Sequence, residues 1–172
     1  MKILAGALIA LAAIFVLGGL LLPSRVHIER SRMLSATPQA IYPLLANLRE
    51  GWPKWSPFGK AHDPDLKETF TGPQSGAGAT ESWTGGSMPA GHLTITRADP
   101  TSGVDFRIEM SNGAKIEGRI AMQPQGAGTR VVWADDADLG HGLLAGWFGL
   151  MLRATLGPTE EKALAQLEKA AR

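Results

Sequence analysis

Few residues in this chain are equipped for chemistry. There is no cysteine, which removes disulfides, thiolate nucleophiles and thiolate metal sites together. The four histidines, His27, His62, His92 and His141, form no His-x-x-x-His or Glu-x-x-His pair, so a zinc site would have to gather scattered ligands. His62-Asp63 lies in a proline-containing stretch and reads as solvated. His92 has the opposite strand parity to Leu93 and Ile95 and is expected to face outward. Asp135-Asp136-Ala137-Asp138, close to His141, reads as a solvated turn after the last strand. Clustered carboxylates of this kind could otherwise raise one pKa or hold a cation weakly. No phosphate-cradling glycine loop, nucleophile elbow or nucleotide fingerprint occurs. One carboxyl stands out. Glu81 shares strand parity with Trp83. Turned toward an apolar wall it would lose hydration, its pKa would rise, and it could anchor a polar ligand group or act as an acid. In a frayed or bulged strand it would simply be solvated. No catalytic residue, cofactor or metal site is assigned.

The elements that must position Glu81 follow from composition and periodicity. The chain has 172 residues, of which 44% are apolar and 19% charged, enough for one domain with a core and against whole-chain disorder. Ile3–Leu22 is twenty residues without a charge, and as a helix it would be about 30 Å long, roughly one bilayer core. We expect residues 1–24 to be a single-pass transmembrane anchor and residues 25–172 to be the folded domain. A cleaved signal peptide and a buried core helix are the alternatives; Leu22-Pro23-Ser24-Arg25 fits a cleavage site poorly. Orientation is open. Arg25, Arg30 and Arg32 favour a cytoplasmic domain, whereas a short tail with only Lys2 favours an extracytoplasmic one, toward which we lean. Gly6 and Ala10 have the small-xxx-small spacing of paired helices. Residues 23–172 carry 16 basic and 16 acidic side chains, with no basic stripe, which argues against nucleic acid as a partner.

Within the domain, Val26–Leu34 reads as a strand, and Thr37-Pro38 opens a helix with Ile41, Leu44, Leu45 and Leu48 on one face. Gly51–Phe58 is an aromatic-rich turn. Strands are then expected at 67–71, 79–84, 91–98, 104–110, 115–122 and 129–133, joined by Gly- and Pro-rich turns. Val104–Met110 alternates most cleanly, and Ser111-Asn112-Gly113 is a tight hairpin. Short connections imply an antiparallel meander. Pro158-Thr159-Glu160-Glu161 reads as the start of a last helix carrying Ala163, Leu164 and Leu167 on one face. Gly142–Leu156 before it, with Arg153 as its only charge, suits core packing, a cavity lid or a membrane-touching patch.

This order, with its local words, resembles the START-like or SRPBCC superfamily, and more closely its polyketide cyclase/dehydrase branch. The resemblance is carried by Arg30–Leu48, Trp52-Pro53-Lys54-Trp55-Ser56-Pro57, Phe70–Ala79 with Trp83, Gly128–Trp133, and Gly157-Pro158 with Leu164 and Leu167. It implies an α+β helix-grip fold: a curved antiparallel sheet of about seven strands around a long C-terminal helix, here preceded by one transmembrane helix. It also implies an apolar cavity between sheet and helix, and a family that shares a cavity more than a reaction. Parity then nominates ligand-contacting residues: Glu81, Trp83, Leu93, Ile95, Phe106, Ile108, Ile120, Met122, Val131 and Trp133 from the sheet, with Trp147 and Met151 from the Gly142–Leu156 segment. The function expected is membrane-tethered binding of a hydrophobic small molecule or lipid, with Ile3–Leu22 in the membrane. The alternatives are a cyclase or dehydratase using an inward carboxylate, and a protein-interaction module with a filled core that uses the Trp52/Trp55 turn as its patch.

Overall fold

The computed structural model describes residues 2–60, 63–140 and 142–172, with side chains from Gly6 onward. His62 and His141 lie outside the described residues. The order is α1 (Lys2–Leu21), β1 (Arg25–Leu34), α2 (Pro38–Ala46), a single 3-10 turn (Trp52–Lys54), β2 (Lys67–Thr71), β3 (Thr80–Thr84), β4 (Gly91–Asp99), β5 (Gly103–Met110), β6 (Lys115–Gln125), β7 (Gly128–Asp138) and α3 (Ala145–Ala170). The seven strands form one antiparallel sheet in the order β1-β7-β6-β5-β4-β3-β2. Strands β2 to β7 are the expected meander, and β1 closes it by pairing along the whole of β7. A bulge between Ile95 and Arg97 bends β4, which helps the sheet curve. Gly113, with φ 87°, supplies the left-handed residue that the β5–β6 hairpin needs.

Thr37 stands at the N-cap of α2 as expected, but its hydroxyl makes no capping bond; Pro38 at the first helical position tolerates the open end. Two indoles secure the other end. Trp52 Nε1–H donates to the Leu45 carbonyl at 2.7 Å and Trp55 Nε1–H to the Leu44 carbonyl at 3.0 Å. Both rings are buried, so Trp52 and Trp55 offer no exposed patch, and the reading of them as a protein-interaction surface is corrected.

The last helix differs from expectation. Pro158 does not start it but lies within a continuous helix that begins at Ala145. Proline cannot donate to the carbonyl one turn back, yet the helix continues. Around this point the Thr159 hydroxyl donates to the Thr155 carbonyl at 2.8 Å, and the Thr155 hydroxyl to Met151 at 3.0 Å. Arg30 and Arg32 of β1 reach over α3 to Glu161 and Glu168 at 2.7 and 2.8 Å. Gly157 leaves room for the Arg30 guanidinium to pass.

Helix α1 lies against the start of α3. Phe15 stacks on Trp147 with ring centroids 5.7 Å apart, and Trp147 Nε1–H donates to the Phe15 carbonyl at 3.1 Å. The small residues meeting α3 are Gly18 and Gly19, against Trp147 and Leu143, not Gly6. Among the described residues no helix is long and apolar enough to cross a membrane. The transmembrane anchor expected at 1–24 therefore finds no support in this fold.

Removing an indole donor leaves a buried carbonyl unpaired. Trp52→Phe is expected to lower stability by about 1–3 kcal/mol, measured by urea unfolding followed by circular dichroism. An unchanged midpoint would show that the Leu45 carbonyl needs no such partner.

Candidate functional site

The core of the domain is split. One cluster joins α2, the Trp52/Trp55 turn, the sheet and the C-terminal half of α3, through residues such as Leu34, Leu45, Ile95, Ile120 and Leu164. A second, smaller cluster joins Val26, Ile28, Ile116, Ala137 and Leu156. A cavity of about 300 Å³ lies between them, and its wall draws on both. Leu48, Trp52, Leu66, Trp83, Leu93 and Phe106 come from the first cluster, and Ile116 and Leu156 from the second. Phe58, 41% exposed, stands with Gly59 and Lys60 at its rim.

Aromatic rings set the shape. Trp52 meets Phe106 edge-on with centroids 5.5 Å apart, Trp55 meets Trp133 edge-on at 5.5 Å, and Trp52 and Trp55 tilt together at 5.2 Å. Such contacts favour fixed ring positions. Gly118 matters here. It pairs with Phe106 on one side and Asp135 on the other, and a Cβ there would collide with both side chains. On the opposite wall the Trp83 indole donates to the Pro89 carbonyl at 2.9 Å.

Six of the twelve residues nominated from sequence line the cavity: Glu81, Trp83, Leu93, Phe106, Ile108 and Trp133. Ile95, Ile120, Met122 and Val131 do not, and their nomination is corrected. They lie on the inward face, but farther along their strands, where they belong to the packed first cluster with the α2 residues Ile41, Leu44 and Leu45. Trp147 and Met151 are also corrected. Trp147 packs on α1, Met151 is 55% exposed, and α3 gives the cavity Leu152 and Leu156 instead.

The main omission is Asp135. Strand β7 continues to Asp138, so the supposed turn is strand, with Trp133, Asp135 and Ala137 buried. The alternation Val131, Trp133, Asp135, Ala137 was the signal available in the sequence. Asp135 lines the cavity, and its Oδ1 accepts the Trp133 indole N–H at 3.0 Å. Behind it, Glu160 of α3 is fully buried, and neither of its oxygens has a well-formed hydrogen bond. The Asp135 carboxyl is its neighbour, and its charge helps to hold the proton on Glu160.

Desolvation dominates these acids. Burial, with Glu68 adding negative charge, pushes Glu81 up to about 7. Burial pushes Asp135 up to about 6, although the Trp133 N–H opposes the shift. Burial and then the Asp135 charge push Glu160 up to about 8, against the pull of Arg30. At neutral pH the wall thus holds carboxyls that exchange protons readily. Among the described residues, no three His, Asp or Glu side chains come together as a metal site. His27 instead pairs with Asp136 at 2.8 Å, and the half-buried His92 with Glu109 at 3.1 Å.

These shifts bear on stability. A carboxyl whose folded pKa is raised favours the folded state below its unfolded pKa, and that contribution is lost as pH rises through the folded value. For Glu81 and Glu160 the window runs from the ordinary glutamate value of 4.5 up to about 7 and about 8. Urea unfolding is therefore expected to show lower stability at pH 8.5 than at pH 5, with a smaller difference in Glu160→Gln. Equal pH dependence in the two proteins would contradict the assignment.

Residues 25–172 match the family described as "Polyketide cyclase / dehydrase and lipid transport". Several solved structures share the fold. The KanY protein in solution aligns with a TM-score of 0.63 at 17% identity, over 86% of this chain and 97% of its own. The di-domain ARO/CYC StfQ of the steffimycin biosynthetic pathway aligns at 0.61 and 16% identity, over 86% of this chain and 51% of its own. Thalictrum flavum norcoclaurine synthase aligns at 0.60 and 12% identity, over 86% of this chain and 94% of its own. At these identities the likeness is one of fold. No curated protein matches the sequence. The seven-stranded antiparallel sheet, the long C-terminal helix packed on it and the match over residues 25–172 lead to one assignment: the chain belongs to the polyketide cyclase/dehydrase and lipid-transport family.

Proposed function

We propose that this domain binds a hydrophobic small molecule or lipid in the cavity between the sheet and α3. The observation that carries the reading is the cavity itself: about 300 Å³, walled largely by indole, phenyl, leucine and methionine side chains, with the carboxyls of Glu81 and Asp135 set among them. Burying about 200 Å² of ligand apolar area would contribute about 5 kcal/mol before ordering costs. The two carboxyls would orient the polar end of the ligand. The family's description, which includes lipid transport, supports this reading.

The proposal includes a lipid surface as the place of work. Leu8, Ile9, Leu11, Leu17, Leu20 and Leu21 of α1 are each more than half exposed, as are Leu144 just before α3 and Phe148, Leu150 and Met151 within it. Apolar exposure on this scale calls for a partner, and lipid tails suit it. Helix α3 then runs from that surface to the cavity wall at Leu152 and Leu156.

A second reading is an enzyme of the cyclase or dehydratase type. It is favoured by Glu81, a carboxyl on the cavity wall titrating at about 7, where a side chain serves as acid and as base.

Native mass spectrometry of the 172-residue chain, released from mild detergent, separates these readings. The binding proposal expects a co-purifying adduct that organic solvent extracts and that re-binds to the emptied protein. A bare mass, with no re-binding of extracted lipid, would count against it. Glu81→Gln that retains binding but abolishes turnover of a candidate substrate would favour the enzyme.

A further inference from the structure

The cavity wall carries carboxyls from three strands and little positive charge. Glu68 and Glu81 sit on one face of neighbouring strands, paired with Trp83 and Phe70 respectively, and both line the cavity. Asp135 completes the set from β7. Glu68 Oε1 accepts the Lys60 backbone N–H at 2.6 Å. Among the described residues of the wall Lys60 is the one basic side chain, and it is exposed at the rim. Asp135, 4% exposed, accepts a neutral indole donor from Trp133. Glu160 behind it is fully buried with the Asp135 carboxyl as its neighbour, while the Arg30 guanidinium is engaged by Glu161 at 2.7 Å.

Acids on an open surface are hydrated and screened. These flank an apolar volume, where each carboxyl either keeps its proton or needs a positive partner. A fatty-acid head would add one more negative charge beside them, with Lys60 as the one cation among the described wall residues to answer it. A cationic head would supply what the wall lacks.

We propose that the cavity takes an amphiphile with an aromatic or aliphatic body and a protonated amine at its polar end, the amine donating to Glu81 with Glu68 and Asp135 adding negative potential. This inference rests on the ligand-binding reading above and specifies the charge of the ligand. The burial that raises the Glu81 pKa in the empty cavity agrees with it, because a bound cation would favour the ionised form. Amine binding would then release a proton and strengthen as pH rises through about 7.

Three probes of one shape test this by isothermal titration calorimetry: 2-(1-naphthyl)ethylamine, 2-(1-naphthyl)ethanol and 1-naphthylacetic acid. The 172-residue chain is held in phosphatidylcholine nanodiscs, with heats from empty nanodiscs subtracted. At pH 8 the amine is expected to bind about 10-fold tighter than the alcohol, as a charge-assisted hydrogen bond in a desolvated site would give, and the acid weakest of all. Glu81→Gln should erase most of that preference, weakening the amine far more than the alcohol. Asp135→Asn is a second variant that should weaken the amine alone, with circular dichroism reporting that each variant is folded. Equal affinity for amine and alcohol, unchanged by Glu81→Gln, would overturn the amine assignment and leave the cavity as a binding site. Failure of all three probes to bind would remove both.

Discussion

Two indole N–H bonds hold this interior open. Trp52 and Trp55 are tied to the last carbonyls of α2, at Leu45 and Leu44, and their rings prop Phe106 and Trp133 from the side. A side chain fixed at both its polar tip and its ring face cannot slide into an adjacent void without breaking a buried hydrogen bond. The α2 end of the sheet packs solid around this prop. The other end, where α3 approaches through Leu152 and Leu156, stays hollow. Gly118 serves the same geometry by giving Phe106 and Asp135 room on the sheet face.

The hollow determines the electrostatics. Water that would hydrate Glu81 or Asp135 in an open strand is partly excluded by apolar walls, and burial is the largest cause of the shift in each. The acids of the exposed loops and faces behave oppositely. Asp99 is held down to about 2 by the Thr101 and Ser102 hydrogen bonds, and Glu168 is lowered by Arg32 and Arg172. One chain thus keeps two populations of carboxylates. Outer ones such as Asp99 and Glu168 are held ionised by their partners. The inner ones are poised near neutrality and face a ligand-sized space.

Much of this was legible in the sequence. Period-2 alternation located all seven strands and separated inward from outward faces, and it placed Glu81 with Trp83 on the cavity side. Parity gives the face of a strand but not the position along it. Ile95, Ile120, Met122 and Val131 satisfied the pattern and lie in solid core, because α2 covers that end of the sheet. Asp135 was missed because a run of acidic residues reads as a turn. Pairing of β7 with both β1 and β6 carries the strand through the run to Asp138. Glu160 was hidden by Pro158, which reads as a helix start, whereas tertiary contacts carry α3 straight through it. The apolar N-terminal run was plain in the sequence. Its contact with α3 was not, since that depends on Gly18, Gly19, Phe15 and Trp147 meeting across residues far apart in the chain.

The account stands on an interior void, and a small apolar gas reports on one directly, since dry apolar cavities take up xenon. Crystals of the protein pressurised with xenon are expected to show xenon bounded by Trp83, Phe106, Ile108 and Leu156. Crystals without xenon there, in which Trp83, Phe106 and Trp133 close on one another, would contradict the claim that this helix-grip domain is built around a ligand-sized space.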